Sequence, residues 1–291
     1  MRPRTSTRRG ATPALVAFLC GVMTLAVHSS ALSQTQPDEG RSAAEVAAEL
    51  ANPNTSLGVL GFPIDLVGYG GDLPGASDQN GFKISFQPSL PVPLGAGLNF
   101  FARPLVPVSL SQPVPTATGF ESKAGLGDIG FDAAVGKTFA SGLIAIGGIV
   151  GSLPTATDDA LGTGQFLLGP EALVGWVQKW GAIGALVTQS WRVTGGDASE
   201  PASITGGQYF YTFNLANAWQ ISAQPTWSYN HNAEGDKLTF PLGIGVNKTV
   251  MAGTTPWKLS LQYWYYVASP QQFGPRHQLR LQVAAVVPLP W

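Results

Sequence analysis

From residue 57 onward, hydrophobic positions recur at every second residue rather than at every third or fourth. In GFKISFQPSLPV, Phe82, Ile84, Phe86, Leu90 and Val92 share one face, and Lys83, Ser85, Gln87 and Ser89 share the other. AWQISAQPTWSYN repeats the pattern, with Trp219, Ile221, Ala223, Trp227 and Tyr229 opposite Gln220, Ser222, Gln224, Ser228 and Asn230. A period of two predicts extended strands with one apolar and one polar face. Twelve such strands are predicted at about 57–68, 81–93, 96–110, 125–138, 142–153, 165–178, 181–193, 206–215, 218–231, 237–249, 256–268 and 277–291.

The connections alternate in length. Odd-numbered strands are followed by longer polar stretches, such as GYGGDLPGASDQN, SQPVPTATGFESKAG and LPTATDDALGTG. Even-numbered strands are followed by short links such as PLGA, FASG, QKWG and LANA, with TVMAGTTP the longest. An even strand count with short periplasmic turns and long outer loops describes a bacterial outer-membrane barrel. A secreted β-sandwich would also alternate. It does not predict paired long and short connections, nor aromatic residues at strand ends such as Trp176, Trp180, Trp219, Tyr229, Trp257, Tyr265 and Trp291. The fold class expected is therefore all-β, a transmembrane antiparallel up-and-down β-barrel of about twelve strands spanning 57–291. RHQLRLQVAAVVPLPW is expected to be the closing strand. Its terminal Trp291 is also of the form read by the outer-membrane assembly machinery, an expected partner alongside outer-membrane lipid.

What precedes the strands is different. Arg2, Arg4, Arg8 and Arg9, the apolar run Ala14 to Val27 and the small residues around Ala31-Leu32-Ser33 read as a secretory signal peptide over 1–33. Gly10, Ala11 and Thr12 after the arginine pair argue against a twin-arginine signal, and bulky Leu19 before Cys20 argues against a lipoprotein anchor. Residues 34–56 form a periplasmic segment in which Ala43 to Leu50 predicts a short helix stopping before Pro53. It is expected to be a leader joining export signal to first strand rather than a plug.

Composition narrows the function. Charged residues are only 11% of the chain, against roughly 25% in an ordinary soluble domain. Without residues 1–33, 12 basic face 17 acidic groups, a net charge of −5 that excludes a basic nucleic-acid surface. No later stretch approaches the roughly 18 continuous apolar residues of a transmembrane helix. A closed barrel is the remaining way for such a chain to satisfy its backbone in lipid. The expected location is the cell outer membrane.

Because an arginine facing lipid at mid-membrane costs roughly 2–4 kcal/mol, the polar parity must point inward. That rule turns Lys83, Arg103, Asp128, Asp132, Glu171, Arg192 and Arg280 toward a lumen or solute path, with Lys258 near a strand end. Two readings stay open. Arg–carboxylate pairs brace a narrow barrel, or they form a constriction that orients a solute.

In LPTATDDALGTG, Thr155, Asp158 and Asp159 form a candidate loop site. Its carboxylates and hydroxyls suit a hard cation, yet the spacing matches no binding loop and turn chemistry is the plainer reading. No metal or cofactor motif occurs. His231 and His277 are the histidines left after the signal, and no nucleophile turn accompanies them, so an enzyme is not expected.

ELANPNTSLGVLGFPID, ISFQPSLPVPL, GLGDIGFD, LPTATDDALGTGQFLLGPEALV, GALVTQSW, FPLGIGV and GPRHQLRLQV together cover nearly the whole mature chain in order. In these segments the chain resembles a family of bacterial outer-membrane transporter-like proteins, some carrying the misleading label neuromedin U, related to the MetA-pathway phenol-degradation proteins. Gly127, Asp128, Pro154, Thr155, Asp158, Gly169 and Pro170 match its motifs. The resemblance implies a transporter-like barrel for small hydrophobic or aromatic compounds. The alternative function is a plugged structural or surface-interaction barrel acting through its extracellular loops.

Overall fold

The computed structural model describes residues 40–197 and 200–291; the expected signal peptide, residues 1–33, lies outside them. The described strands are β1 (Gly58–Gly70), β2 (Asn80–Gly95), β3 (Leu98–Thr116), β4 (Gly119–Leu126), β5 (Ile129–Thr138), β6 (Leu143–Leu153), β7 (Gln165–Gln178), β8 (Gly181–Gly195), β9 (Ser203–Asn214), β10 (Trp219–Ala223), β11 (Thr226–Asn230), β12 (Leu238–Ala252), β13 (Thr255–Ala268) and β14 (Gly274–Val287). Because β4–β5 and β10–β11 are each one strand interrupted at a kink, the wall has twelve strands. All neighbours are antiparallel. β14 pairs with both β13 and β1, with Phe62 opposite Val283 and Asp65 opposite Arg280, so the sheet closes on itself. Closure gives almost every backbone N–H and C=O in the wall a partner, which is what a lipid environment demands.

Side-chain parity follows the expectation. On β13, Leu259, Leu261, Tyr263, Tyr265 and Val267 are exposed on the outer face, while Ser260, Gln262, Trp264 and Tyr266 are buried within. The charged outer-face residues Lys137 and Lys248 sit at the short-turn rim, with their ammonium groups 5.6 Å from the Phe139 ring and 5.1 Å from the Trp219 ring. Trp176, Trp180 and Trp219 are exposed at the same rim. Long cations reaching past an aromatic belt toward water is the arrangement a membrane interface favours. Two-residue turns lie here too: Ala96 (φ 52) and Gly97 (φ 76) turn β2 into β3, and Gly253 and Thr254 alone separate β12 from β13.

Four expectations need correction. SQPVPTATGFESKAG is not a loop: β3 runs on to Thr116 and returns as β4, with Gln112 opposite Lys123 and Thr116 opposite Gly119. Pro113 and Pro115 are tolerated because this ladder has a neighbour on one side only. The strand expected at 218–231 breaks at Gln224-Pro225, and Ala223, assigned to the outer face, is 1% exposed. The last strand is Gly274–Val287 rather than 277–291, since Pro288 and Pro290 cannot donate to a ladder. Finally, the N-terminal helix α1 (Ala43–Glu49) is packed against the barrel and is no mere leader. Ser42 caps it in a reciprocal capping box with Glu45, and Val46 and Ala47 are buried.

Candidate functional site

The segment that follows α1 crosses the short-turn mouth. The Gln220 amide donates to Ala47 O (2.8 Å), Asn52 donates to Thr138 (3.1 Å), and Asn99 donates to Asn54 O (3.0 Å), which ties the segment to β10, β5 and β3. Ala51 joins an apolar cluster inside the barrel with Phe101, Ile144, Ile146, Leu173 and Phe210. The opposite wall is polar and uncharged over much of its height: Gln220, Ser222, Asn247, Ser260 and Gln262 are all buried. Between the two walls lies a cavity of about 230 Å³, floored by residues 50–53 and lined by Phe210, Leu173, Gln224, Gln262, Arg103 and Lys258 among others.

The expected lumen residues fall into distinct groups. Arg280 donates through Nε (2.6 Å) and Nη2 (2.9 Å) to Asp65, and lies 4.4 Å over the Trp264 ring. Gln278 donates to the same carboxylate (2.8 Å), and Lys83 Nζ is 4.0 Å away. Asp65 is 1% exposed, so its charge is sustained by these partners. Sequence reasoning passed over Asp65, although a signal was present: Phe62, Ile64 and Leu66 alternate outward, which turns Asp65 in. Arg103 donates through Nε to Asp132 (2.7 Å), its register partner. Glu171 is buried on the lumen side of β7 at 4% exposure, with neither carboxylate oxygen hydrogen-bonded among the described residues. Arg192 stays near the long-loop rim, donating to Gly195 O (2.7 Å).

Asp128 does not join these groups. It sits in the kink between β4 and β5 and accepts from Thr155 N (3.1 Å), Ala156 N (3.1 Å) and Thr163 N (2.6 Å). The kink leaves it outside the ladder, where it organises the β6–β7 loop instead of the lumen. In that loop Thr155 Oγ1 accepts from Ile129 N, Asp158 accepts from Ala160 N and lies 3.7 Å from Lys123, and Asp159 begins the short 3-10 turn. Among the described residues neither His231 nor His277 bonds a serine side chain. His231 meets Thr205 (2.7 Å) and His277 meets the Tyr263 hydroxyl (2.6 Å).

One feature of the wall was invisible in the sequence pattern. β12 pairs with β10 at Ile221–Val246 and with β11 at Ser228–Thr239, and no ladder joins residues 222–227 to 240–245. Pro225 is buried in this gap and packs beside Gly243, while Gln224 turns inward toward Gln262 and Gln282. Two tyrosines of β9 satisfy three of the orphaned backbone groups. Tyr209 Oη donates to Pro241 O (3.0 Å) and accepts from Gly243 N (3.1 Å), and Tyr211 Oη donates to Gly243 O (2.8 Å). The lipid-facing wall here is held by two phenol side chains across the outer face of a window, and Gln224, Ala223 and Phe210 line the cavity behind it.

No family model matches the chain, and no curated protein matches it in sequence. Solved structures do. An outer membrane channel from Pseudomonas putida F1 superposes with a TM-score of 0.59 at 18% identity, over 79% of this chain and 94% of that one. The NanC porin superposes with a TM-score of 0.51 at 9% identity, over 79% of this chain and all of that one. The chain has the fold of an outer-membrane β-barrel channel. At these identities the likeness concerns the fold, and the solute must be argued from the side chains.

Proposed function

We propose that the protein is a non-enzymatic outer-membrane transporter that takes a small hydrophobic or aromatic solute into its lumen cavity and releases it sideways through the wall. The observation that carries this reading is the juxtaposition of a cavity floored by residues 50–53 with the unpaired stretch 222–227/240–245 beside it. An apolar solute gains nothing by entering periplasmic water and is stabilised by passing from an apolar pocket into acyl chains. A gap patched by side chains needs only rotamer changes to open, whereas a full ladder must lose its backbone hydrogen bonds. Arg103, Asp132, Asp65 and Arg280 brace the lumen in this reading and shape the path rather than carry the solute.

Planar-bilayer recording combined with uptake of a small aromatic solute into proteoliposomes tests it. The intact protein is expected to pass the solute while carrying little ionic current, and deletion of residues 43–55 to raise the current severalfold. Large ionic current through the intact protein, or uptake that is insensitive to Tyr209 and Tyr211, would contradict the sideways route. The floor across the mouth also supports the second reading, a barrel acting through its extracellular loops. That reading is selected if no solute crosses at all.

A further inference from the structure

The cavity carries an electrostatic asymmetry. Among the described residues its charged lining consists of Arg103 and Lys258, with no carboxylate. Arg103 is already paired with Asp132. Lys258 forms no ion pair or hydrogen bond among the described residues, although it points inward from β13. Directly across the ladder stands Thr249, 1% exposed, whose hydroxyl has no partner; two residues along β12 stands Asn247, 3% exposed, whose Oδ1 has none either. Buried polar atoms in folded proteins are almost always hydrogen-bonded, so two unmet oxygens beside an unpaired ammonium call for an explanation.

From this we infer that the cavity is a binding site for a small aromatic carboxylate, held at its charged end by Lys258 and at its ring by Phe210, Leu173 and Leu186. The inference rests on the entry of a small aromatic solute into the cavity, as read above, and adds the charge class of that solute; it does not depend on the sideways release, which an ionised carboxylate resists in acyl chains. Lys258 carries three N–H donors, enough for a carboxylate oxygen and for a neighbouring acceptor together. A charge-assisted hydrogen bond in a water-poor pocket is the strong kind. Size agrees: an apolar cavity of about 150 Å³ accommodates benzene, and this one, at about 230 Å³, leaves room for a ring and one carboxylate. The size of the cavity excludes a larger anion, and the unpaired ammonium disfavours an amine.

The test is titration calorimetry on the full refolded chain with three isosteric probes: benzoate, benzyl alcohol and benzylamine. Benzoate is expected to bind at least about tenfold more tightly than either of the others. Lys258→Met should erase that preference and Lys258→Arg should retain it, with far-UV circular dichroism reporting that each variant is folded. Equal affinity for benzoate and benzyl alcohol in the wild type overturns the inference, and so does a preference that survives in Lys258→Met. Should Lys258→Met fail to fold, the wild-type comparison decides alone. Binding of benzyl alcohol without any benzoate preference removes this inference and leaves the transporter reading standing; failure of all three probes to bind or cross removes both.

Discussion

The seam where β14 meets β1 and the seam where β12 meets β10 and β11 belong to the same barrel and are held together in opposite ways. The first is a ladder running from Gly58–Val287 to Gly70–Gly274, reinforced inside by the Asp65–Arg280 pair with Gln278 and Lys83 around it. The second loses its ladder over six residues on each side and relies on the hydroxyls of Tyr209 and Tyr211. Backbone pairing in lipid is close to obligatory, so a gap in it is tolerated only where side chains supply the missing partners. One seam is thereby held by backbone pairing and charge, the other by side-chain hydroxyls.

The contrast can be broken first at its strong side. Asp65→Ala leaves the Arg280 guanidinium buried without its acid, and is expected to cost about 3–5 kcal/mol, read as a lowered urea midpoint in lipid. Replacing the pair together, Asp65→Leu with Arg280→Met, should recover most of that loss. If the single variant is as stable as wild type, the seam does not depend on its ion pair.

At the weak side, Gly243→Ala places a Cβ 2.4 Å from Pro225 Cγ and 2.9 Å from Trp264 Cδ1. Overpacking of this kind costs about 1–3 kcal/mol, and here it should force the window apart and speed solute transfer. Unaltered uptake would show that the gap is no route. Tyr209→Phe with Tyr211→Phe keeps the rings and removes three hydrogen bonds, at about 1 kcal/mol each. Amide exchange at Gly243 should accelerate while exchange at Asp65 is unchanged, and parallel changes at both seams would erase the distinction drawn between them.

The smallest effects concern the floor beneath the cavity. Ser42→Ala removes a helix cap and is expected to destabilise α1 by about 1 kcal/mol, seen as a modest rise in ionic current. The backbone and hydroxyl of Ser42 hold the Glu45 carboxyl below its ordinary value of 4.5. A depressed folded value means that the stabilisation is complete above that ordinary value and fades as pH falls through the folded one. Current should therefore rise on acidification below about pH 4.5, and Glu45→Gln should abolish the dependence.

Much of this barrel was legible in the chain because lipid imposes a simple rule on it. Leu259, Leu261 and Tyr263 alternate with Ser260, Gln262 and Trp264, and that period alone assigns β13 and both of its faces. The same rule assigned Arg103, Asp132 and Glu171 inward, and it would have assigned Asp65 had it been applied to β1. It failed where alternation continues through a break. Ala223 keeps the outer parity of Ile221, yet the strand folds inward at Pro225, and Ala223 and Pro225 are buried. It failed again at Asp128, whose environment is a loop arriving from 27 to 35 residues further along the chain.

Strand identity, facing and the alternation of short and long connections are consequences of local periodicity, because each residue meets the same two environments, lipid and lumen, in turn. Which charges pair across strands, that residues 50–53 floor the cavity, and that two tyrosines of β9 patch a wall two strands away depend on closure. Closure brings together residues such as Asp65 and Arg280, 215 positions apart, and no periodic signal along a chain encodes a contact at that separation.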